Sequence, residues 1–404
     1  MIAVATLTPG SDRRGVALTT PLSCLLCGDQ GGADIVANLI LFLPFAIGLR
    51  LAGASWLRTV ALAAAVSFTV ELLQLTVVPG RDASLSDLLS NSTSAAIGAG
   101  LAPHLAELAA PVRAKARLLL AGGAILWLGA LGLSAWLLEP AVPRGPIRSR
   151  WAGVVVTGDE FGGRVLDVHL QDMPMPSRGR VTDPAAVKDR LLRGDFLLRA
   201  ELVTGEPRPG RSWIYSVQAG PRSVLSLYQA GRAAGVTVPI RGLRFGLREV
   251  GMSVGHALPA DTGVRVRLTA AERAGVVRLD SEFGDTRRAA ELTISPALGW
   301  MLIDPFDPPT IAGIRWLTAL LLGSSLVPLG LWARRAGRTA PALGVLGAIM
   351  AAGLVAVPAL AGLPRVHWSE WLAAVVGAGV GWALGPAAAY LERRCASPSD
   401  SESF

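Results

Sequence analysis

Polar side chains recur at helical spacing within three apolar stretches of the first hundred residues. The three sets are Asp34 and Asn38; Ser67, Glu71 and Gln74; and Asp87, Asn91 and Ser94. Residues four and seven positions apart share one face of a helix, so each set presents its polar groups together. A charged side chain at the bilayer centre costs roughly 2.5–3.5 kcal/mol, so these faces should turn toward protein or water. The spacing predicts one shared polar pocket.

The acidic residues of this predicted pocket outnumber its basic residues by four to one. The acids are Asp34, Glu71, Asp82 and Asp87, and the arginine is Arg81. Either one carboxyl group stays protonated, a cation binds, or one acid points to bulk water. Desolvation beside other carboxylates raises the pKa of a carboxyl group, which is how a general acid or base is made. Glu71 and Asp87 are therefore the catalytic candidates, and the planar fork of Arg81 suits an anionic headgroup.

The pocket has an architectural alternative, because polar residues at helix ends also cap termini and pair across a bundle. Whether the protein is an enzyme stays open. The residues predicted to bind a ligand are Asp34, Asn38, Glu71, Gln74, Arg81, Asp87 and Asn91. No cofactor and no metal site are predicted, since the four histidines are far apart and Cys24 and Cys27 cannot complete a tetrahedral zinc site.

The elements that must position these residues are membrane helices. The 404 residues are 51% hydrophobic and only 17% charged, with a mean hydropathy of +0.46. A soluble domain has about 25% charged residues, so the bulk of the chain should meet a lipid bilayer. Seven segments approach the roughly 20 residues that a crossing needs. They are about 34–52, 57–77, 87–105, 117–138, 311–333, 341–361 and 369–391.

Basic residues at the ends of these segments predict the orientation, because short cytoplasmic loops are rich in arginine and lysine. Placing the four basic clusters in the cytoplasm fits seven crossings and puts residues 139–310 on the extracytoplasmic side of a bacterial cytoplasmic membrane. The apolar run Ile2–Pro9 resembles the end of another helix. We expect that an eighth, leading span is missing from the chain. The basic residues form no concentrated stripe, so no nucleic-acid partner is predicted.

The central stretch alternates short β-like runs with turn signals, which favours an antiparallel β-sandwich. The runs are Trp151–Thr157, Val165–Leu170, Phe196–Val203, Trp213–Val217, Ser223–Gln229, Gly235–Ile240, Leu243–Glu249, Val264–Thr269, Gly275–Asp280 and Ala290–Ile294. The fold class is thus a polytopic α-helical membrane bundle plus this sandwich. The predicted domains are a transmembrane domain 1–138, the sandwich 139–310, three C-terminal helices 311–394 and a polar cytoplasmic tail 395–404. Gly377, Gly381 and Gly385 recur every fourth residue, which predicts close helix packing.

Residues 1–105 resemble the VanZ-like family of integral membrane proteins. The ordered residues that carry the resemblance are Cys24–Gly28, Asp34, Asn38, Phe42–Phe45, Glu71–Gln74, Pro79–Arg81, Asp87, Asn91 and Gly98. The family usually has glycine a few residues after the asparagine, where this chain has Ser94 and Ala95, and close packing accounts for that difference. The resemblance implies a cell-envelope role and, for one member, lower sensitivity to a glycopeptide antibiotic of the teicoplanin type.

The central segment resembles a concanavalin-A or laminin-G-like jelly roll. Such folds often bind glycans by stacking aromatic rings on sugars, which makes Trp213, Tyr215 and Tyr228 glycan-contact candidates, although they could equally be core residues. The leading hypothesis is an outward-facing polar pocket that engages a lipid or glycan precursor. The alternative is a non-enzymatic glycan-binding or scaffolding protein. A transporter ranks third, because the C-terminal spans carry almost no polar residues beyond Glu370.

Overall fold

The computed structural model describes residues 30–77, 84–152, 161–207, 210–220, 222–304 and 310–396. Cys24, Cys27, Arg81, Asp82 and the apolar run at the start of the chain lie outside these residues. In chain order the α-helices are α1 (Gly31–Leu51), α2 (Trp56–Thr76), α3 (Leu85–Leu101), α4 (Leu105–Ala109), α5 (Arg113–Leu138), α6 (Pro184–Arg193), α7 (Ile311–Ala336), α8 (Thr339–Ala351), α9 (Val357–Leu360) and α10 (Trp368–Ala396). A π-helical turn, Ala352–Ala356, joins α8 to α9.

Each predicted span falls on a helix, and the described residues contain five helices that are long and apolar enough to cross a bilayer. They are α1, α2, α5, α7 and the continuous stretch Thr339–Leu360. Helix α3 has only 17 residues, and α10 is not among the five. A membrane crossing by α3 or α10 therefore stays a prediction.

The central residues form two six-stranded antiparallel sheets, which confirms the predicted β-sandwich. The strands are β1 (Ile147–Trp151), β2 (Arg164–Leu170), β3 (Met173–Pro174), β4 (Arg178–Arg180), β5 (Asp195–Val203), β6 (Arg211–Ala219), β7 (Arg222–Ala230), β8 (Ala233–Val238), β9 (Val250–Val254), β10 (Arg265–Arg273), β11 (Val276–Phe283) and β12 (Thr286–Thr293). The first sheet has the order β4-β1-β6-β7-β8-β9, and the second has the order β12-β11-β10-β5-β2-β3. Alternation decides which side chains turn inward, as Val266, Leu268 and Ala270 do on β10.

One predicted strand is wrong and another is displaced. The run Leu243–Glu249 is not a strand, because Arg241–Phe245 forms a 3-10 turn and β9 begins only at Val250. The run predicted at Trp151–Thr157 overlaps the structure only at its start, since β1 ends at Trp151 and residues 153–160 lie outside the described part.

The described chain separates into two compact units. The first comprises Met1–Ala99, Trp136–Ile294 and Leu298–Ile314, and the second comprises Gly100–Ala135, Ser295–Ala297 and Arg315–Phe404. In the first unit, Phe42, Ala46, Ala63 and Ala95 form a small buried cluster between α1, α2 and α3. The predicted domain boundaries stay predictions.

In the second unit, glycines let helices α7 and α10 approach each other closely. A Cβ atom added at Gly377 would collide with the carbonyl oxygen of Gly323, and one added at Gly381 would collide with that of Val327. Gly330 meets the carbonyl oxygen of Ala378 in the same way. These contacts confirm the predicted packing role of the glycine stripe, because only a residue without a side chain fits there.

Candidate functional site

Glu71 closes the N-terminal end of helix α3. Its Oε2 atom accepts a hydrogen bond from the backbone N–H of Ser84 at 2.7 Å, and the Ser84 hydroxyl accepts one from the N–H of Ser86 at 3.1 Å. Backbone donors at a helix start have no partner within the helix, and a carboxylate there also interacts favourably with the helix dipole. Glu71 is 8% exposed. One oxygen of this predicted catalytic carboxylate therefore also has a structural role.

Asn91 joins helices α2 and α3 but keeps one amide atom without a partner. Its Nδ2 atom donates to the hydroxyl of Ser67 at 2.9 Å, while its Oδ1 atom is buried and accepts no hydrogen bond. Asn91 is 3% exposed. The amide is assigned so that its nitrogen donates to Ser67, and this assignment leaves the oxygen without a donor among the described residues. A buried polar atom without a partner is costly in a folded protein and is often explained by an unobserved ligand or water.

Helix α3 is held against α1 by a hydroxyl and a glycine. Ser94 donates from Oγ to the carbonyl oxygen of Leu39 at 2.5 Å. A Cβ atom at Gly98 would lie 2.9 Å from the carbonyl oxygen of Leu43. Ala95 belongs to the buried cluster between the three helices. Close packing thus occupies the positions Ser94 and Ala95, where the resemblance leads one to expect glycine.

Asp34 meets the β-sandwich within the first unit. Its carboxylate lies 3.3 Å from an Nη atom of Arg248, just before β9. The backbone N–H of Ala33 donates to the carbonyl oxygen of Gly246 at 3.0 Å, and a Cβ atom at Gly32 would collide with the carbonyl oxygen of Phe245. The start of α1 is therefore docked on the 3-10 turn, and Arg248 adds a cation beside the predicted pocket.

The structure brings together part of the predicted binding set. Glu71, Gln74 and Asn91 are buried on the facing sides of α2 and α3, and Asp87 is half-buried in the first turn of α3. Asn38 is half-buried on α1, one turn after the Asp34 that pairs with Arg248. Arg81 lies outside the described residues. Among the residues that the structure covers, no three His, Cys, Asp or Glu side chains form a group that could hold a metal ion.

The aromatic candidates of the sandwich differ in their burial. Tyr215 is 1% exposed and lies in the core, where burial raises its pKa above the usual range. Tyr228 is 5% exposed, with the guanidinium of Arg211 4.2 Å above its ring and Trp213 edge-on at 6.1 Å. Trp213 keeps intermediate exposure. Glycan contact at these residues stays a prediction, with Trp213 the most accessible ring.

Sequence reasoning missed two polar groups. Arg241, Arg244 and Arg248 follow the spacing i, i+3, i+7, a helical signal that contradicts a strand and would have placed Arg248 on a turn. Glu272 is 2% exposed, and its Oε2 atom has no hydrogen-bond partner among the described residues. Burial raises its pKa to about 7. Glu272 lies two residues after Ala270, so it continues the alternating inward-facing positions of β10. This alternation could have predicted its burial from the sequence.

Residues 5–107, about a quarter of the chain, match the family model described as VanZ/LLP1. The match confirms the predicted family resemblance of this region and, with the apolar helices, identifies a membrane protein. No curated protein and no solved structure matches the chain.

Proposed function

We propose, from the match of residues 5–107 to the VanZ/LLP1 family, that the seam between α2 and α3 binds the polar head of an envelope lipid or lipid-linked glycan precursor and thereby lowers sensitivity to teicoplanin-type glycopeptides. The observation that carries the proposal is the unsatisfied amide oxygen of Asn91. A hydroxyl or amide N–H of a saccharide or peptide headgroup would supply the missing donor.

The charges around this seam support an amphiphile with a polar, partly anionic head. Arg248 lies beside Asp34, and Arg81 belongs to the loop between α2 and α3. Arginine presents a planar fork that matches carboxylate and phosphate oxygens. Leu72 and Leu75 on α2 and Leu89 on α3 are exposed, so acyl chains could lie against these helices while the head enters the seam.

The proposed division of roles follows from the hydrogen bonds. Asn91 would orient the head through its free acceptor, and Arg81 would neutralise an anionic group on it. Glu71 would hold the start of α3 in place, and its carboxylate or that of Asp87 would handle a proton if the head is transformed. The sandwich would lie on the extracytoplasmic side of the cytoplasmic membrane, where such precursors are used.

The test compares Asn91→Leu with Thr93→Val in the full chain. Asn91→Leu removes the free acceptor at nearly constant volume, while Thr93 is exposed on the other side of α3. We expect Asn91→Leu to abolish the rise in teicoplanin tolerance that the unaltered chain gives its host. Thr93→Val should keep it, at equal amounts of inserted protein.

Three further variants distinguish a ligand-binding pocket from polar residues that only hold the helices together. Glu71→Gln, Arg81→Gln and Asp87→Asn should each reduce tolerance if the seam binds the headgroup. Unchanged tolerance in all of them and in Asn91→Leu would show that the seam only holds the bundle together. Loss confined to a chain without residues 147–294 would favour the glycan-binding alternative.

A further inference from the structure

The 3-10 turn Arg241–Phe245 of the sandwich contacts the ends of two apolar helices. A Cβ atom at Gly32, in the first turn of α1, would collide with the carbonyl oxygen of Phe245. The ring of Trp136, in the last turn of α5, lies 5.5 Å from the ring of Phe245. Helices α1 and α5 are both long and apolar enough to cross a bilayer. Because the first begins and the second ends at this turn, the turn should lie at the level where hydrocarbon gives way to headgroups.

Polar contacts fix this turn to the segment that follows α5. The backbone N–H of Arg241 donates to the carbonyl oxygen of Glu139 at 2.9 Å, and the Arg241 guanidinium lies 2.5 Å from the Glu139 carboxylate. The same guanidinium lies 4.8 Å from the centroid of the Trp136 ring. Arg244 donates from Nη2 to the carbonyl oxygen of Val142 at 3.0 Å. Several independent contacts therefore determine where the turn lies relative to the end of α5.

The two aromatic rings at this turn are exposed although they contact each other. Phe245 is 50% exposed and Trp136 is 42% exposed. Among the described residues of the sandwich, 147–294, Leu192 is the only other large apolar side chain with comparable exposure. A single exposed apolar residue is ordinary, but Phe245 extends the apolar surface of a membrane helix through Trp136. Tryptophan is enriched at the boundary between membrane and water, so lipid is the expected neighbour of this pair.

Arg244 adds a positive charge beside these rings. It directly precedes Phe245 and is exposed. Its hydrogen bond to Val142 ends on a neutral oxygen, so this bond leaves the charge available to an anion. A long arginine side chain can place its guanidinium among headgroups while its apolar neighbours meet hydrocarbon. Because arginine forks bind phosphate oxygens in pairs, a phospholipid headgroup matches this combination of groups.

We propose that the 3-10 turn anchors the sandwich to the bilayer surface, with Phe245 in the interfacial layer and Arg244 bound to the phosphate of an anionic phospholipid. The competing occupant of the exposed rings is a second copy of the chain. A symmetric contact centred on the rings would bring two copies of Arg244 close together, and like charges repel. Lipid is therefore the favoured occupant. This inference does not depend on the ligand site proposed between α2 and α3.

The experiment replaces Phe245 with p-benzoylphenylalanine, a photocrosslinking residue, in the full chain in nanodiscs of equimolar phosphatidylcholine and phosphatidylglycerol. The matched control carries the same residue in place of Arg232. Arg232 is exposed in the turn before β8, and the six residues of β8 separate it from the 3-10 turn by about 20 Å. We expect lipid adducts at position 245 and none at position 232, detected by mass spectrometry.

A second arm tests the role of Arg244. Adducts at position 245 should contain phosphatidylglycerol about fivefold more often than phosphatidylcholine, the enrichment expected from one arginine at an anionic surface. Arg244→Gln should return this ratio to the composition of the nanodisc. Arg232→Gln, which removes the same charge at the other end of β8, should keep the enrichment. The ratio is measured within each sample, so it does not depend on the amount of folded protein.

Four outcomes would overturn the inference. Crosslinks from position 245 to a second copy would assign the rings to an interface between copies, and equal lipid adducts at positions 245 and 232 would remove the specific contact. An absence of lipid adducts at position 245 would contradict the anchor itself. An unchanged lipid ratio in Arg244→Gln would contradict the phosphate contact. Should the replacement at Phe245 lower the melting temperature, the same replacement at Trp136 probes the other ring, and an absence of lipid adducts there is equally decisive.

Discussion

Helices α2 and α3 in the first unit meet through hydrogen-bonding side chains, whereas α7 and α10 in the second unit meet through glycine backbone. Ser67 and Asn91 join the first pair, while Gly377 and Gly381 lie against carbonyl oxygens in the second. Both arrangements bring helices together without a hydrophobic driving force between them. Helices that meet through glycine need only complementary backbone surfaces. Polar side chains between helices need hydrogen-bond partners, and the buried Oδ1 atom of Asn91 has none among the described residues. Glycine contacts contain no side-chain polar atom that needs a partner.

The largest expected effect is a loss of stability when a side chain is added where α7 and α10 meet through glycine. Gly381→Leu places a side chain against the backbone of Val327, where no rotamer can avoid it. We expect the second unit to lose more than about 3 kcal/mol of stability, at the upper end of overpacking effects. Thermal unfolding in detergent measures the change.

A matched control lies two residues away on the same helix. A Cβ atom at Gly379 has no heavy atom within 4 Å, so Gly379→Leu should leave the melting temperature nearly unchanged. Leucine has a higher helix propensity than glycine, so equal destabilisation by both substitutions would contradict close approach of the backbones as the reason for the glycines.

The second prediction concerns a buried polar group of the first unit. The pKa of Glu272 is raised from 4.5 to about 7 by burial, so its contribution to stability is fully present below about pH 4.5 and is lost as the pH rises to about 7. The loss should reach about 3 kcal/mol. Hydrogen exchange of β10 in the full chain measures it.

Glu272→Gln should flatten this pH dependence, and Glu206→Gln, which alters an exposed carboxylate, should preserve it. An unaltered pH profile in Glu272→Gln would mean that the carboxylate is hydrated in solution.

The smallest expected effect comes from the ion pair between α1 and the sandwich. Asp34 and Arg248 have side chains 53% and 24% exposed, so solvent screens their attraction. A double-mutant cycle with Asp34→Asn and Arg248→Gln should give a coupling energy below about 1 kcal/mol. A larger value, measured by denaturant unfolding against Arg232→Gln as a charge-matched control, would make this contact a main support of the first unit.

Helix positions were predictable because long apolar segments and helical polar spacing act locally. The strands followed from alternation and turn residues for the same reason. Strand pairing is a long-range property, so the meeting of Arg148 with Arg180 could not be seen in a sequence where 31 residues separate them. Likewise, Arg248 reaches Asp34 only because the 3-10 turn docks on α1, across more than two hundred residues of chain.

The predicted bilayer crossing by helix α3 would also affect the lipid around it. Its 17 residues rise about 26 Å, a few ångströms less than the roughly 30 Å hydrocarbon core. A bilayer accommodates a short crossing helix by thinning locally, at a modest cost for each ångström. Such thinning would draw lipid headgroups inward along the helix, and the proposed headgroup ligand would then have a shorter distance to cover before it reached Asn91.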